Sequence, residues 1–273
     1  MVTQLFGTGL EKTKRTKKEI KTKRDSVKIL LLSDLHCGSL FAIKHPSFGD
    51  MMPVQKYLFS HWQEMIKQEG KVDYLYIGGD AVDGEGLADR GKYEWTTDVS
   101  KQIDCAVELV KMINYDKLLV AYGTPYHVET GLNADEEFAK RIGANSMGWE
   151  LNFKPQGMED IFNMVHKIGV SSGFYRTTAI ARELVYALLN EKELYRYTGI
   201  IRSHAHYFVS VSFTSQFGLI TPCWQDRNPY LKEKGLGLIP KLGYVVLEKS
   251  DGDEVWTIRP MTFNIMRPVL SEV

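Results

Sequence analysis

Leu30–Leu31–Leu32–Ser33–Asp34–Leu35–His36–Cys37–Gly38 is the stretch on which the reading of this 273-residue chain turns. The apolar run that leads into it, Val27 to Leu32, reads as a fully buried strand closed by a turn-forming glycine. At its end stand a carboxylate, Asp34, and an imidazole, His36, two residues apart. In extended backbone, residues i and i+2 face the same side, so this spacing predicts that both groups aim at one spot. Carboxylate with imidazole suits Mn, Fe or Zn, and loops at strand ends are where open α/β sheets form their sites. Two residues describe a turn Asp and a surface His equally well, so the other strand ends decide.

They repeat the pattern. Val72 to Ile77 reads as a second buried strand, followed by Gly78–Gly79–Asp80–Ala81–Val82–Asp83–Gly84. Lys117 to Tyr122 is a third, ending in Gly123–Thr124–Pro125–Tyr126–His127, and Ile161 to Val165 a fourth, ending in His166. A fifth, Thr198 to Arg202, leads into Ser203–His204–Ala205–His206. Of seven histidines only His45 and His61 fall outside this placement. Two Asp and three or four His suffice for two metal ions that share a carboxylate.

Between the strands the apolar period changes to helical. Residues 54–68 carry Leu58, Trp62, Met65 and Ile66 on one side, with Gly70 just past the end. Asp98 is placed to cap a helix with Ile103, Val107, Val110 and Met112 inward. Asn133 with Glu136 three residues on resembles a capping box for a helix to about Arg141. Residues 177–189 form a further helix, with Ile180, Leu184, Ala187 and Leu188 as its stripe. Residues 143–160 show no period. From Tyr207 onward the pattern is strands and turns, at 207–214, 217–221, 243–248 and 254–264. The organisation expected is one domain over residues 25–273, strand–helix units first and a β-rich half second.

The formal net charge is zero, with 34 basic and 34 acidic residues, but it is unevenly spread. Residues 1–24 hold eight Lys or Arg against Glu11 and Glu19, a net +6, which leaves −6 for the rest. Such a basic arm is expected to be solvated and disordered, and is a candidate contact for nucleic acid. No apolar run approaches the roughly 20 residues of a membrane span. Three widely spaced cysteines, Cys37, Cys105 and Cys223, suit a reducing compartment better than a disulfide framework, so the cytoplasm is expected. Cys37 and Cys105 read as packing residues, as does Trp224.

With Asp34–Leu35–His36, Gly79–Asp80–Ala81–Val82–Asp83–Gly84, a lone His166 and His204–Ala205–His206 on the page, the chain resembles the calcineurin-like metallophosphoesterases. The resemblance implies an α/β fold, a four-layer α-β-β-α sandwich of two mixed sheets with flanking helices. It implies two divalent ions, manganese first, with iron or zinc as alternatives. Asp34, His36 and His206 would hold the first ion, Asp80 would bridge, and His166 and His204 would hold the second. Asp83 would support its loop, or lie behind the ligands.

Two departures stand out. The family's third motif is Gly-Asn-His-Asp or Glu; here Thr124 follows Gly123 and the histidine, His127, comes four residues after the glycine. Thr124, water or His127 could complete the second ion, and the altered motif looks similar to that of phage-type members. Ser203 also stands where Gly is usual.

The function expected is hydrolysis of a phosphate ester by a hydroxide that two metal ions activate, with His127 as general acid to the leaving oxygen or as a ligand. Arg176, Arg202 and Arg227 are candidates for phosphate contacts. The basic arm tilts the substrate toward a phosphodiester or nucleic acid, hence phosphodiesterase or nuclease activity, over a phosphomonoester. The alternative is a non-catalytic binding or scaffolding protein on a degenerated phosphoesterase fold, which the absent Asn motivates. A nucleic-acid-binding module with incidental histidines would rest on residues 1–24 alone.

Overall fold

The computed structural model describes residues 26–85, 90–124, 133–169, 175–229 and 239–267. The expected basic arm therefore lies outside the described residues, as does His127.

The apolar runs become strands at the expected places: β1 (Ser26–Leu32), β2 (Lys71–Ile77) and β3 (Asn114–Ala121), then β6 (Phe162–Val165) and β7 (Gly199–Arg202). Two short strands, β4 (Ser146–Gly148) and β5 (Glu150–Phe153), occupy the segment without a period. The β-rich half supplies β8 (Val209–Phe213), β9 (Gln216–Ile220), β10 (Leu242–Ser250) and β11 (Thr257–Phe263). One sheet runs β11-β10-β1-β2-β3-β4, the other β5-β6-β7-β9-β8. β1 to β4 are parallel and β10 and β11 antiparallel; β6, β7 and β9 are parallel with antiparallel edges, so both sheets are mixed.

Alternation along the central strands explains the layering. Leu30 and Leu32 of β1, Leu118 and Val120 of β3, and Val246 of β10 face one way. There they meet Leu58, Trp62 and Met65 of α1 (Pro53–Glu69), Ile103, Val107 and Val110 of α2 (Val99–Lys111) and Phe138 of α3 (Ala134–Ile142). The intervening residues Ile29, Leu31, Leu119, Val245 and Leu247 face Phe162 and Met164 of β6, Ile201 of β7 and Leu219 of β9. The far side of that second sheet is covered by Ala179, Ile180 and Leu184 of α4 (Arg176–Leu189), against Ile200 and Ile220. Helix, sheet, sheet, helix is the four-layer α/β arrangement expected.

The N-caps hold, although the capping box expected at Asn133 is only half formed, the Glu136 carboxylate pairing with Lys140 at 2.6 Å. Asp98 accepts from the Lys101 amide, Asn133 from the Glu136 amide, and Gly70 ends α1 at φ +59°. Cys37, Cys105 and Trp224 are fully buried, Trp224 edge-on to Trp62 at 4.8 Å between ring centres. Among the described residues no helix is long and apolar enough to cross a membrane.

Candidate metal centre

The C-terminal ends of β1, β2, β3, β6 and β7 bring the expected residues to one place. Asp34, His36 and His206 have ligand atoms within 4.8 Å of one another, and so do Asp34, Asp80, His166 and His204. Asp34 is common to both groups; Asp80, which the resemblance makes the bridge, falls in one. Asp34, His36, Asp80 and His166 are buried, His206 is half-buried and His204 is open to solvent.

The route by which these side chains converge differs from that expected. Asp34, His36, Asp80, His204 and His206 have φ between +46° and +70°, the left-handed region, where extended strand would have φ near −120°. They are five of the seven non-glycine residues with positive φ among those described. Asp and His tolerate this region better than most residues, yet each such position costs on the order of 1–3 kcal/mol unless its surroundings impose it.

Here the surroundings do impose it, through a backbone ladder that continues past the strands. The Asp34 amide donates to Gly79 O, that of His36 to Asp80 O and that of Cys37 to Ala81 O, each at 3.0 Å. The Trp224 amide donates to Asp34 O at 3.0 Å, and the Lys241 amide to His206 O at 2.8 Å. Gly123 is obligatory: a Cβ there would lie 2.0 Å from Asp80 Oδ1. Beneath the loops, the buried hydroxyls of Ser33, Ser203 and Thr221 bond one another at 2.7 and 2.9 Å, tying the ends of β1, β7 and β9. Ser203 thus has a structural task where the family has Gly.

Second partners fix the imidazoles. His36 Nδ1 lies 2.7 Å from Asp83 Oδ1, so Nδ1–H donates to the carboxylate and Nε2 is turned toward Asp34, 4.0 Å away. His166 Nδ1–H donates to Gly78 O at 2.6 Å, leaving Nε2 3.0 Å from Asp80 Oδ2. Carboxylate or carbonyl behind a ring nitrogen is how metal-binding histidines are oriented. His204 Nδ1 is 3.9 Å from Asp80 Oδ2, and His206 Nε2 is 3.3 Å from Asp34 Oδ1.

Two observations test whether a cation fits. Asp34 Oδ1 is buried and makes no well-formed hydrogen bond, being approached only by His206 Nε2 at 3.3 Å and His36 Nε2 at 4.0 Å, a condition that a cation would relieve. The charges agree: burial pushes the Asp34 carboxyl up, but the His206 imidazole draws it down to about 2. Burial likewise opposes charge on His166, and Asp80 nevertheless lifts it to about 9. The pocket sets the buried carboxylates Asp34 and Asp80 against imidazole nitrogens, and its oxygen and nitrogen donors suit a divalent transition metal.

Thr124 gives Asp80 both its amide, at 2.7 Å to Oδ1, and its hydroxyl, at 3.2 and 3.3 Å to the two oxygens. Arg202 is not brought to the site. Its Nε donates to Glu183 Oε2 at 2.5 Å and its Nη2 to Asn163 Oδ1 at 2.8 Å, and it is buried, so a phosphate contact is corrected to a structural ion pair. Arg227 is turned to Asp226 and Met266 O. Arg176 lies over the Tyr207 ring, 4.9 Å from its centre, beside the His206 loop.

Sequence reasoning missed Asp135. It is buried in the first turn of α3 and accepts from the amides of Asp80 (3.2 Å), Ala81 (2.9 Å) and Gly123 (2.7 Å), clamping the β2 and β3 loops together. Burial, with Asp80 nearby, raises its pKa. The only signal for it in the sequence was an acidic residue inside the Asn133–Glu136 cap.

The family model described as calcineurin-like phosphoesterase matches residues 27–123, which include Asp34, His36 and Asp80; His166, His204 and His206 lie beyond the matched stretch. No curated protein matches. Similar solved structures include a conserved uncharacterized protein, a predicted phosphoesterase, from Streptococcus pneumoniae TIGR4, at 11% identity over 88% of this chain and 93% of that one, TM-score 0.40. A novel archaeal phosphodiesterase is 11% identical over 86% and 100%, TM-score 0.44. Vps29 from Entamoeba histolytica, complexed with Zn, is 12% identical over 87% and 100%, TM-score 0.42.

Proposed function

From the match of residues 27–123 to the calcineurin-like phosphoesterase family model, we propose that the chain belongs to that family and is a metal-dependent hydrolase of phosphate esters. The observation that carries this reading is the pair of ligand groups joined at Asp34, whose Oδ1 is buried without a well-formed hydrogen bond. Asp34, His36 and His206 would hold one divalent ion, and Asp80, His166 and His204 the second. Manganese is the ion of first choice, with iron or zinc as alternatives. When bound, such ions polarise the phosphoryl oxygens and lower the pKa of water.

The chain's own residues supply the rest. Asp83 and Gly78 O fix the rings of His36 and His166 with Nε2 toward the centre. Thr124 neutralises part of the Asp80 charge from the side where the family has Asn. His127, four residues after Gly123, is the candidate general acid for the leaving oxygen. A phosphodiester or nucleic acid is preferred to a phosphomonoester because of the basic residues before Asp25. Residues 25–273 form one phosphoesterase domain in this reading.

One observation favours a non-catalytic scaffold instead: both donors of Thr124 are engaged by Asp80, in the position of the missing Asn. Metal analysis together with hydrolysis of bis(4-nitrophenyl) phosphate and 4-nitrophenyl phosphate, with and without Mn²⁺, separates the two. The hydrolase binds about two ions and turns over at least one ester, and Asp80→Asn abolishes turnover. A folded, metal-replete wild type that cleaves neither ester would favour the scaffold.

A further inference from the structure

From the groove that opens beside His206 we infer a subsite for a nucleotide unit of the substrate, its ring held by Tyr207 and Phe208 and its non-reacting phosphate by Arg176 and Lys241. The inference rests on the phosphate-ester reading above. The groove has a volume of about 260 Å³ and is also bordered by Phe263 and Asn264. That is just under the roughly 300–1,000 Å³ of common ligand pockets, a size for one ring system rather than a long apolar chain.

Two of its lining residues, Tyr207 and Lys241, are tied to the loop that carries His206. Tyr207 follows His206 directly, and the Lys241 amide holds the His206 carbonyl at 2.8 Å. The Arg176 guanidinium lies 4.9 Å over the Tyr207 ring, and the Tyr207 hydroxyl reaches back to Arg176 O at 3.4 Å. This fixes a cation over one face of an aromatic ring, a pairing that proteins use to hold a phosphate near a stacked base.

Charge points the same way. Arg141, Arg202 and Arg259 each pair with a carboxylate, at 2.8, 2.5 and 2.8 Å. Arg176 and Lys241 have no carboxylate partner among the described residues. Two cations that line the groove without a carboxylate partner among the described residues favour an anion there, and guanidinium suits two phosphate oxygens at once. The Asn264 side-chain amide offers both a donor and an acceptor for a base edge.

The test uses the full chain with Mn²⁺ and two 4-nitrophenyl diesters. One is the thymidine 5′-ester that also carries a 3′-phosphate; the other is methyl 4-nitrophenyl phosphate. Arg176→Ala is expected to lower the ratio of kcat/KM for the nucleotide ester over the methyl ester by about tenfold, the worth of one charge-assisted hydrogen bond. Arg176→Lys is expected to restore part of it, and Tyr207→Leu to lower it as Arg176→Ala does. An unchanged ratio in Arg176→Ala would overturn the subsite. Calorimetric titration with thymidine 3′,5′-bisphosphate gives a readout that needs no turnover. If the wild type cleaves neither ester, the hydrolase reading falls; the subsite then stands if the wild type binds the bisphosphate and Arg176→Ala loses about tenfold in affinity, and falls if the wild type does not bind.

Discussion

Asp34 stands at the crossing of every line of the site: it belongs to both ligand groups, its backbone is left-handed, and one carboxylate oxygen is buried without a well-formed hydrogen bond. A residue in that state is stable only where its neighbours fix it, and the Gly79 and Trp224 backbone bonds do so. His36 depends on Asp83 in the same manner, through one 2.7 Å hydrogen bond. Asp83→Ala is therefore expected to weaken metal binding by about 10–100-fold, the usual effect of losing the group behind a ligand histidine. Titration of the metal-free protein with Mn²⁺ measures this, and affinity equal to wild type would show that His36 is oriented without Asp83. The sequence conveyed which residues meet here but misled about how. Extended i, i+2 spacing and a pair of left-handed turns both bring Asp34 and His36 together, and residue order does not separate them. Arg202 was misread because its partner Glu183 lies 19 residues away on α4.

At the scale of elements, α3 does more than cover the sheet. Its first turn places Asp135 against three amides from the β2 and β3 loops, and a carboxylate at a helix N-terminus is also favoured by the helix dipole. Asp135→Ala would leave those buried amides without acceptors, each costing on the order of 1–3 kcal/mol. A loss of about 3 kcal/mol in unfolding free energy is expected, together with weaker binding of the ion nearest Asp80. Urea denaturation and metal titration check the two effects, and wild-type values in both would remove Asp135 from the site's framework. The long strands were legible because apolar runs bounded by glycines are a strong signal. β4 and β5 were not: they have three and four residues, sit at sheet edges and carry no period.

Across the molecule, a second charged cluster ties the first sheet together far from the metal centre. Glu69, the last residue of α1, accepts from Arg259 Nη1 and Nη2 at 2.9 and 2.8 Å, from Tyr244 at 3.0 Å, and meets Lys28 at 2.9 Å. Burial pushes the Glu69 carboxyl up, but these partners outweigh it and hold the pKa at about 2, below its ordinary 4.5. A carboxylate whose folded pKa is depressed contributes stability above its unfolded pKa and loses it as pH falls. The urea midpoint should therefore drop as pH goes from about 5 toward 2. Glu69→Gln should be less stable at neutral pH by about 3 kcal/mol, as expected when one partner of a buried pair is removed, and its midpoint should vary less with acid. Parallel curves for the two proteins would refute this role. The four-layer plan itself was legible from the family resemblance, whereas the Glu69 cluster joins residues as far apart as Lys28 and Arg259 and left no local mark.

Two ions are expected on the ligand groups joined at Asp34. Anomalous diffraction at the manganese edge, from crystals grown with Mn²⁺, tests this most directly. Two peaks are expected, one among Asp34, His36 and His206 and one among Asp34, Asp80, His166 and His204. A single peak, or none at these side chains, would contradict it.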